Sequence, residues 1–339
     1  MGINKLSDLI RSEARSAISY KEISDYTGKT IAVDTSIVLN QFRTAVPRLR
    51  NRDGVNVSPL TGLFFRTLHF LEHDIRPVFV FDGCPPEQKA SVLARRAKVT
   101  GWSSSYTSTS VSCQIQDCQR LLRLLGVPYV RAPGDGEAFC AQLVKDGRAD
   151  AVASEDMDTL AFGGTLLLRQ LNAKRVSEVM EYSLPKVLDT LKLTYKEFVD
   201  LCILLGSLVL IQKHRTIEEV VLHINRETHP VPLSWRYSDA RRLFSDAPQA
   251  TLPELIWKEP DEKGLVNFLC HEKYVKEDRI RGRMEKFRQT QKERRKEREE
   301  ISTAGKGKQT LMEDFFRATR KREAPVVEEP SSRKKARPH

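Results

Sequence analysis

The stretch Ala151-Val-Ala-Ser-Glu-Asp-Met-Asp158 constrains this 339-residue chain more than any other. Its opening residues are small, apolar and uncharged, which predicts a short strand over 150–154 buried on both faces. Two alternate carboxylates, Asp156 and Asp158, follow at once. Open α/β sheets bind ligands just beyond the carboxyl ends of their strands. Three further runs end in a similar way. Thr30-Ile-Ala-Val leads to Asp34, and Arg76-Pro-Val-Phe-Val-Phe leads to Asp82. Val127-Pro-Tyr-Val130 feeds a helix start that carries Asp135 and Glu137.

Helical spacing fills the intervals. It covers residues 4–18, Ser36–Val46, a segment from about Glu87, a run ending at Leu125, and Ala138–Lys145. It also covers Leu60–His73, where Leu60, Leu63, Phe64, Leu68 and Leu71 share a stripe and Arg66 lies off it. A last strand is expected at 165–170. The alternation predicts an α/β fold, a mostly parallel central sheet flanked by helices. From Tyr195 the chain reads as mainly helical. Met284–Glu300 reads as a solvated helix of alternating charge, and the remainder as a disordered basic tail.

One Asp after a strand is ordinarily a helix cap or a turn residue. Six carboxylates at one sheet edge repel one another, and divalent cations would neutralise them. Oxygen donors with no His or Cys nearby suit Mg²⁺, with Mn²⁺ as a substitute, rather than Zn²⁺. Two such ions about 4 Å apart serve phosphodiester hydrolysis. The net charge of +11 favours nucleic acid as a partner. Residues 285–339 hold 17 Lys+Arg against 10 Asp+Glu, so +7 of that charge lies in the last 55 residues and the body must bind through local patches. The six cysteines show no CxxC pair and read as reduced thiols. No stretch approaches 18 consecutive apolar residues, which argues against a membrane span.

Several longer motifs carry a resemblance. Met1-Gly-Ile, Val33-Asp-Thr-Ser36, Gly62-Leu-Phe-Phe-Arg-Thr67, Val78-Phe-Val-Phe-Asp-Gly83, Glu155-Asp-Met-Asp158 and Phe198-Val-Asp-Leu-Cys-Ile-Leu-Leu-Gly206 are similar to the flap endonucleases. These are 5′ nucleases of the xeroderma pigmentosum group G class. The resemblance implies a PIN-like core and a structure-specific enzyme with 5′-flap endonuclease and 5′-3′ exonuclease activity in DNA replication and repair. It implies a metal site of two Mg²⁺ ions at Asp34, Asp82, Asp135, Glu137, Asp156 and Asp158. Lys89 and Arg96 match residues that approach the scissile phosphate. Arg48, Arg66, Asp135 and Gly206 fall at DNA-contacting positions. The implied divisions are an N-terminal nuclease region at 1–100, a shortened arch at 101–117, an internal and helical region at 118–287, and a charged helix with tail at 288–339.

The chain departs from the family in places. Asp135 stands where the family has Glu. Asn40 replaces a base-stacking Tyr, and Pro47 replaces an Arg. After Ser207 the family continues with Asp-Tyr and a helix–two-turn–helix, whereas this chain runs Leu208-Val-Leu-Ile-Gln-Lys213, so a seventh carboxylate and a DNA clamp are missing. An inactive or weak relative that occupies branched DNA or the sliding clamp is therefore the second reading. A haloacid-dehalogenase-like phosphatase built on Asp34 is dismissed, because Ser36 stands where a second Asp is needed. In the tail, Gln309, Met312, Phe315 and Phe316 match the peptide that docks on the sliding clamp, proliferating cell nuclear antigen. Lys321-Arg322 and Arg333-Lys-Lys335 read as nuclear import signals. The expected state is a nuclear monomer, in nucleoplasm and nucleolus, with the mitochondrion as a second compartment.

Overall fold

Strands that are apolar on both faces need helices on both sides, and the computed structural model of the chain has that arrangement. It describes residues 3, 5–44, 49–83, 109–171, 178–204, 208–227, 231, 235–246 and 254–306. Among them, β1 (Ile18–Lys21), β2 (Thr30–Asp34), β3 (Arg76–Phe81), β4 (Tyr129–Arg131), β5 (Ala151–Ala153), β6 (Leu166–Arg169) and β7 (Val179–Ser183) form one sheet in the order β1-β7-β6-β5-β2-β3-β4. β2 pairs in parallel with both β3 and β5, β3 with β4, and β5 with β6. The chain leaves β2 on one side to build β3 and β4, and fills the other side with β5 and β6. The carboxyl end of β2 is therefore the point where strand order reverses, the crevice in which such sheets bind ligands.

The period-two alternation of side chains divides each strand between two cores. Ile31, Val33, Phe79, Phe81, Ala151 and Ala153 pack on one face with Leu63, Phe64 and Leu68 of a helix over Ser58–Glu72 and Leu121 of another over Thr109–Leu124. Ala32, Val78, Val80 and Val152 pack on the other face with Phe139, Cys140 and Leu143 of the helix Gly136–Lys145. Toward the far edge, Leu167, Met180 and Tyr182 meet Leu6, Ile10, Val187 and Phe198. Proline at the second position of Ser58–Glu72 costs no helical hydrogen bond there.

Three expectations need correction. Residues 4–18 do not form one helix. The helix Leu6–Glu13 stops at Ala14 (φ -135°), and Ile18–Lys21 then pairs antiparallel with β7, which itself runs antiparallel to β6. The open backbone edge of β7 outweighs the weak local helix propensity of that segment. The strand expected at 127–130 begins only at Tyr129. The C-terminal charged helix starts at Glu277, and one face of its opening turns is not solvated: Ile280, Met284 and Phe287 lie on one stripe buried in the core, while Asp278, Arg279, Arg281, Glu285 and Lys286 are exposed. Beside them, Arg283 makes a two-pronged pair with the buried Glu72 carboxylate. The chain divides into two compact units, Met1–Phe287 and Arg288–His339.

The part after Tyr195 is helical, as the sequence implies, with helices at Tyr195–Ile203, Leu208–His214, Ile217–His223 and Tyr237–Ser245. A capping box at Thr194 and Glu197 starts the first of them. Its Asp200 is buried, at 3% exposure, and accepts from Arg241 Nε (2.8 Å) and Nη2 (2.7 Å) and from the Ile217 amide (3.2 Å). Arg241 also donates to Glu218 at 2.9 Å. One guanidinium thus joins three helices.

Candidate metal centre at the carboxyl edge of the sheet

β2 delivers Asp34 into the crevice between β3 and β5. The side chain is buried, at 1% exposure. Oδ1 accepts the amides of Ser36 (3.0 Å) and Ile37 (3.4 Å), and Oδ2 accepts the Ser154 hydroxyl at 3.4 Å. Burial and the neighbouring carboxylates Asp82 and Asp156 push its carboxyl up to about 7, against the opposing effect of those two amides. A carboxylate with that preference takes up either a proton or a cation.

Asp82 follows β3 directly, and its Oδ1 accepts the Gly136 amide at 2.8 Å, at the amino end of the helix Gly136–Lys145. Tight backbone contacts fix this corner. A Cβ on Gly136 would lie 2.7 Å from Asp82 Oδ1, and one on Gly83 would lie 2.0 Å from the Ala132 carbonyl oxygen. Gly83→Ala must displace one of two backbone segments, so it is expected to lower stability by about 1–3 kcal/mol. A thermal melt checks this, and an unchanged midpoint would contradict it.

The same helix brings Glu137 forward in its first turn. β5 supplies Asp156, whose amide donates to Ser154 Oγ (3.1 Å) and whose Oδ1 accepts the Asp158 amide (3.1 Å). Ser154 therefore links Asp34 to Asp156. Oxygens of Glu137, Asp156 and Asp158 all lie within 4.8 Å of one another. These donors are hard carboxylate oxygens from two separate segments, and they fit a hard divalent cation.

The six expected carboxylates do not play equal parts. Glu137, Asp156 and Asp158 make the mutual cluster, and Asp34 and Asp82 act on one another across the crevice. Asp135 sits at the N-cap position of Gly136–Lys145, where its side chain makes no capping bond. Cys140, one turn beyond Glu137, is fully buried; burial first, then Asp34, Glu137 and Asp82, push its thiol well up, so it is a poor soft-metal donor.

Arg66 is not on the solvent side of its helix. It is buried, donates from both terminal nitrogens to Gln41 Oε1 (3.2 and 3.3 Å), and stacks over Phe42 at 4.8 Å. It lines the same small cavity as Asp34, Gln41, Ser154 and Glu155. Burial pushes its guanidinium down to about 10, with Glu155 acting the other way. The helix packs on both its neighbours at this point, which leaves no free polar face. Arg48, Lys89, Arg96, Gly206, Gln309, Met312, Phe315 and Phe316, the 101–108 part of the arch, and the tail after Lys306 lie outside the described residues.

The state of Asp34 has a sign that can be measured. A carboxyl raised in the folded protein keeps its proton while the unfolded chain has lost it. Between the ordinary value of 3.8 and about 7, this group therefore lowers stability as pH rises. A bound divalent cation offsets the repulsion in the ionised form. Adding Mg²⁺ is expected to raise the melting temperature most at pH 7–8 and hardly at all near pH 4. Calorimetry with and without Mg²⁺ checks it, and an equal gain at both pH values would contradict it.

A parallel sheet with carboxylates at its switch point defines a class, and comparison with known proteins places the chain in it. The XPG N-terminal domain matches residues 1–100 and the XPG I-region matches residues 126–207. The Danio rerio protein named "Probable flap endonuclease 1 homolog" is 57% identical, covering 98% of this chain and 99% of that protein. Flap endonuclease 1-B of Xenopus laevis is 37% identical over 94% of this chain and 91% of its own length. The solved structure of flap endonuclease-1 from Methanococcus jannaschii superposes with a TM-score of 0.64 at 26% identity, covering 80% of this chain and 96% of that one. The chain belongs to the flap endonuclease family.

Sequence reasoning missed several supporting groups. Ser154 stands inside the motif and could have been found there. The Ile3 amide, which donates to Asp158 Oδ1 at 2.5 Å from 155 residues away, left no signal in the sequence. The Asp200–Arg241–Glu218 junction left none either.

Proposed function

We propose that the chain is a structure-specific nuclease that cuts 5′ flaps and acts as a 5′-3′ exonuclease on DNA in replication and repair. The observation that carries the chemistry is the convergence of Glu137, Asp156 and Asp158 beside Asp34 and Asp82 at the switch point. Family membership supplies the substrate class. Two Mg²⁺ ions, when bound, supply an activated water and charge stabilisation at the phosphodiester. The protein's part is to hold five carboxylates at fixed positions, with Asp135 as a sixth, shorter than the family's Glu. Burial of Asp34 and Asp156 excludes the water that would otherwise compete. Lys89 and Arg96 approach the scissile phosphate, and Arg48 and Gly206 contact the DNA backbone. Arg66 contributes through the crevice wall it packs into rather than as a surface cation.

The tail is a sliding-clamp ligand, with Met312, Phe315 and Phe316 as apolar anchors and Gln309 in a polar pocket. Its basic clusters direct the protein to the nucleus. The functional divisions are those at 1–100, 101–117, 118–287 and 288–339. The Mg²⁺-dependent cleavage of a labelled double-flap DNA decides between the enzyme and an inactive relative. Cutting at the branch that EDTA stops and Mg²⁺ restores supports the enzyme. A folded protein that binds the clamp, loses that binding on Phe315→Ala with Phe316→Ala, and does not cut would establish the second reading.

A further inference from the structure

The loop that carries Asp156 and Asp158 has anchors outside the carboxylate cluster. The Ile3 amide donates to Asp158 Oδ1 at 2.5 Å. Ser7, in the helix Leu6–Glu13, accepts from Arg169 Nη1 at 3.3 Å. The same nitrogen lies 3.7 Å from Met157 Sδ, and Arg169 Nε is 3.6 Å from Glu155 Oε2. Glu155 in turn accepts the Gln170 amide at 2.9 Å, and Gln170 holds a left-handed backbone, φ 59°. Non-glycine residues reach that region at a cost, and the surrounding contacts must impose it. The Arg169 guanidinium also lies over the Tyr182 ring at 5.9 Å.

These contacts converge on one object. Glu155, Met157 and Asp158 are successive or alternate residues of a single segment, and each is tied to a partner outside it: Asp158 to the Ile3 amide, Met157 to Arg169, and Glu155 to Arg169 and the Gln170 amide. One partner comes from the N-terminal segment and two from the end of β6, where Ser7 in turn holds Arg169. A carboxylate that ligates a cation is oriented by what its other oxygen accepts. Asp158 has one oxygen committed to a backbone N–H, which limits its rotation.

We propose that the Ile3 amide and Arg169 are positioning groups for the metal centre, together bracing the Glu155–Asp158 loop in its cation-holding geometry. The inference rests on the metal-centre reading above. It assigns the N-terminal segment a part in metal affinity, beyond packing Leu6 and Ile10 into the core.

The experiment uses the full chain and Mn²⁺, with free ion followed by its electron paramagnetic resonance signal and folding followed by thermal melting. Ile3→Pro removes the donor, whereas Ile3→Ala shortens the side chain but keeps the N–H. Ile3→Pro and Arg169→Gln are each expected to weaken Mn²⁺ binding by roughly tenfold, in the range found for outer partners of metal ligands. Ile3→Ala is expected to stay within about twofold of the wild type. A merely structural role for these groups moves the melting temperature and leaves Mn²⁺ affinity unchanged. Folded Ile3→Pro and Arg169→Gln proteins that bind Mn²⁺ like the wild type overturn the brace. Should Ile3→Pro not fold, Arg169→Gln decides alone. A wild type that holds no Mn²⁺ at all overturns the metal-centre reading instead, and the brace falls with it.

Discussion

Asp156→Asn is expected to reduce flap cleavage by on the order of 1,000-fold or more while leaving the fold intact. The side chain is buried at 5% exposure, so its removal as a shape would open a hole, but Asn matches it closely in volume. Asn keeps an oxygen to accept the Asp158 amide, and Ser154 still receives the backbone N–H of residue 156. What disappears is one negative charge in the group it forms with Glu137 and Asp158. The cation-free protein should melt at the same temperature or slightly higher, because Asp156 is one of the charges that oppose ionisation of Asp34. Cation binding should fall together with the rate. Cleavage of double-flap DNA, Mn²⁺ affinity and a melting curve on the same sample separate these effects. A variant that cuts at the wild-type rate would place the chemistry elsewhere.

The second large effect concerns stability. Arg241→Met leaves the Asp200 carboxylate buried, with only the Ile217 amide as its described partner of opposite polarity. Removing one member of a buried pair costs about 3–5 kcal/mol. The Arg241 side chain is 33% exposed and Asp200 only 5%, so solvent already screens the arginine end and the expected loss is nearer 3 kcal/mol. Asp200→Asn combined with Arg241→Met should recover much of that loss, because the buried charge is then gone. Melting and urea titration of both single variants and the double form the cycle. If the two single losses simply add in the double, the pair is not coupled and the assignment is wrong. The result matters because this junction ties together three helices of the part of the chain after Tyr195.

Much of the centre was legible in the residues. β2, β3 and β5 are apolar on both faces and each leads to an Asp at or within three residues of its end, a repeated pattern that points to a buried parallel sheet with a ligand edge. Local chemistry also marked the helix that presents Glu137 and the helical character after Tyr195. The sheet's antiparallel extension was not legible. Ile18–Lys21 and Val179–Ser183 lie far apart in the chain, and β1 became a strand because β7 presented an open edge. The C-terminal helix hid its buried stripe for a related reason. Ile280, Met284 and Phe287 are three apolar residues in a charged run, and their depth depends on the core they meet.

The sequence by itself determined the class of chemistry: which side chains are acidic, that they follow strands, and that oxygen rather than nitrogen or sulfur would meet a cation. Those are properties of residue type and short spacing. Tertiary structure alone decided which carboxylates share a site, that Asp34 loses its water, that Arg66 is walled in by Gln41 and Phe42, and that an amide at Ile3 reaches Asp158. Each of these depends on desolvation or on contact across many residues, and such contacts arise when the sheet closes rather than from any local preference of the chain.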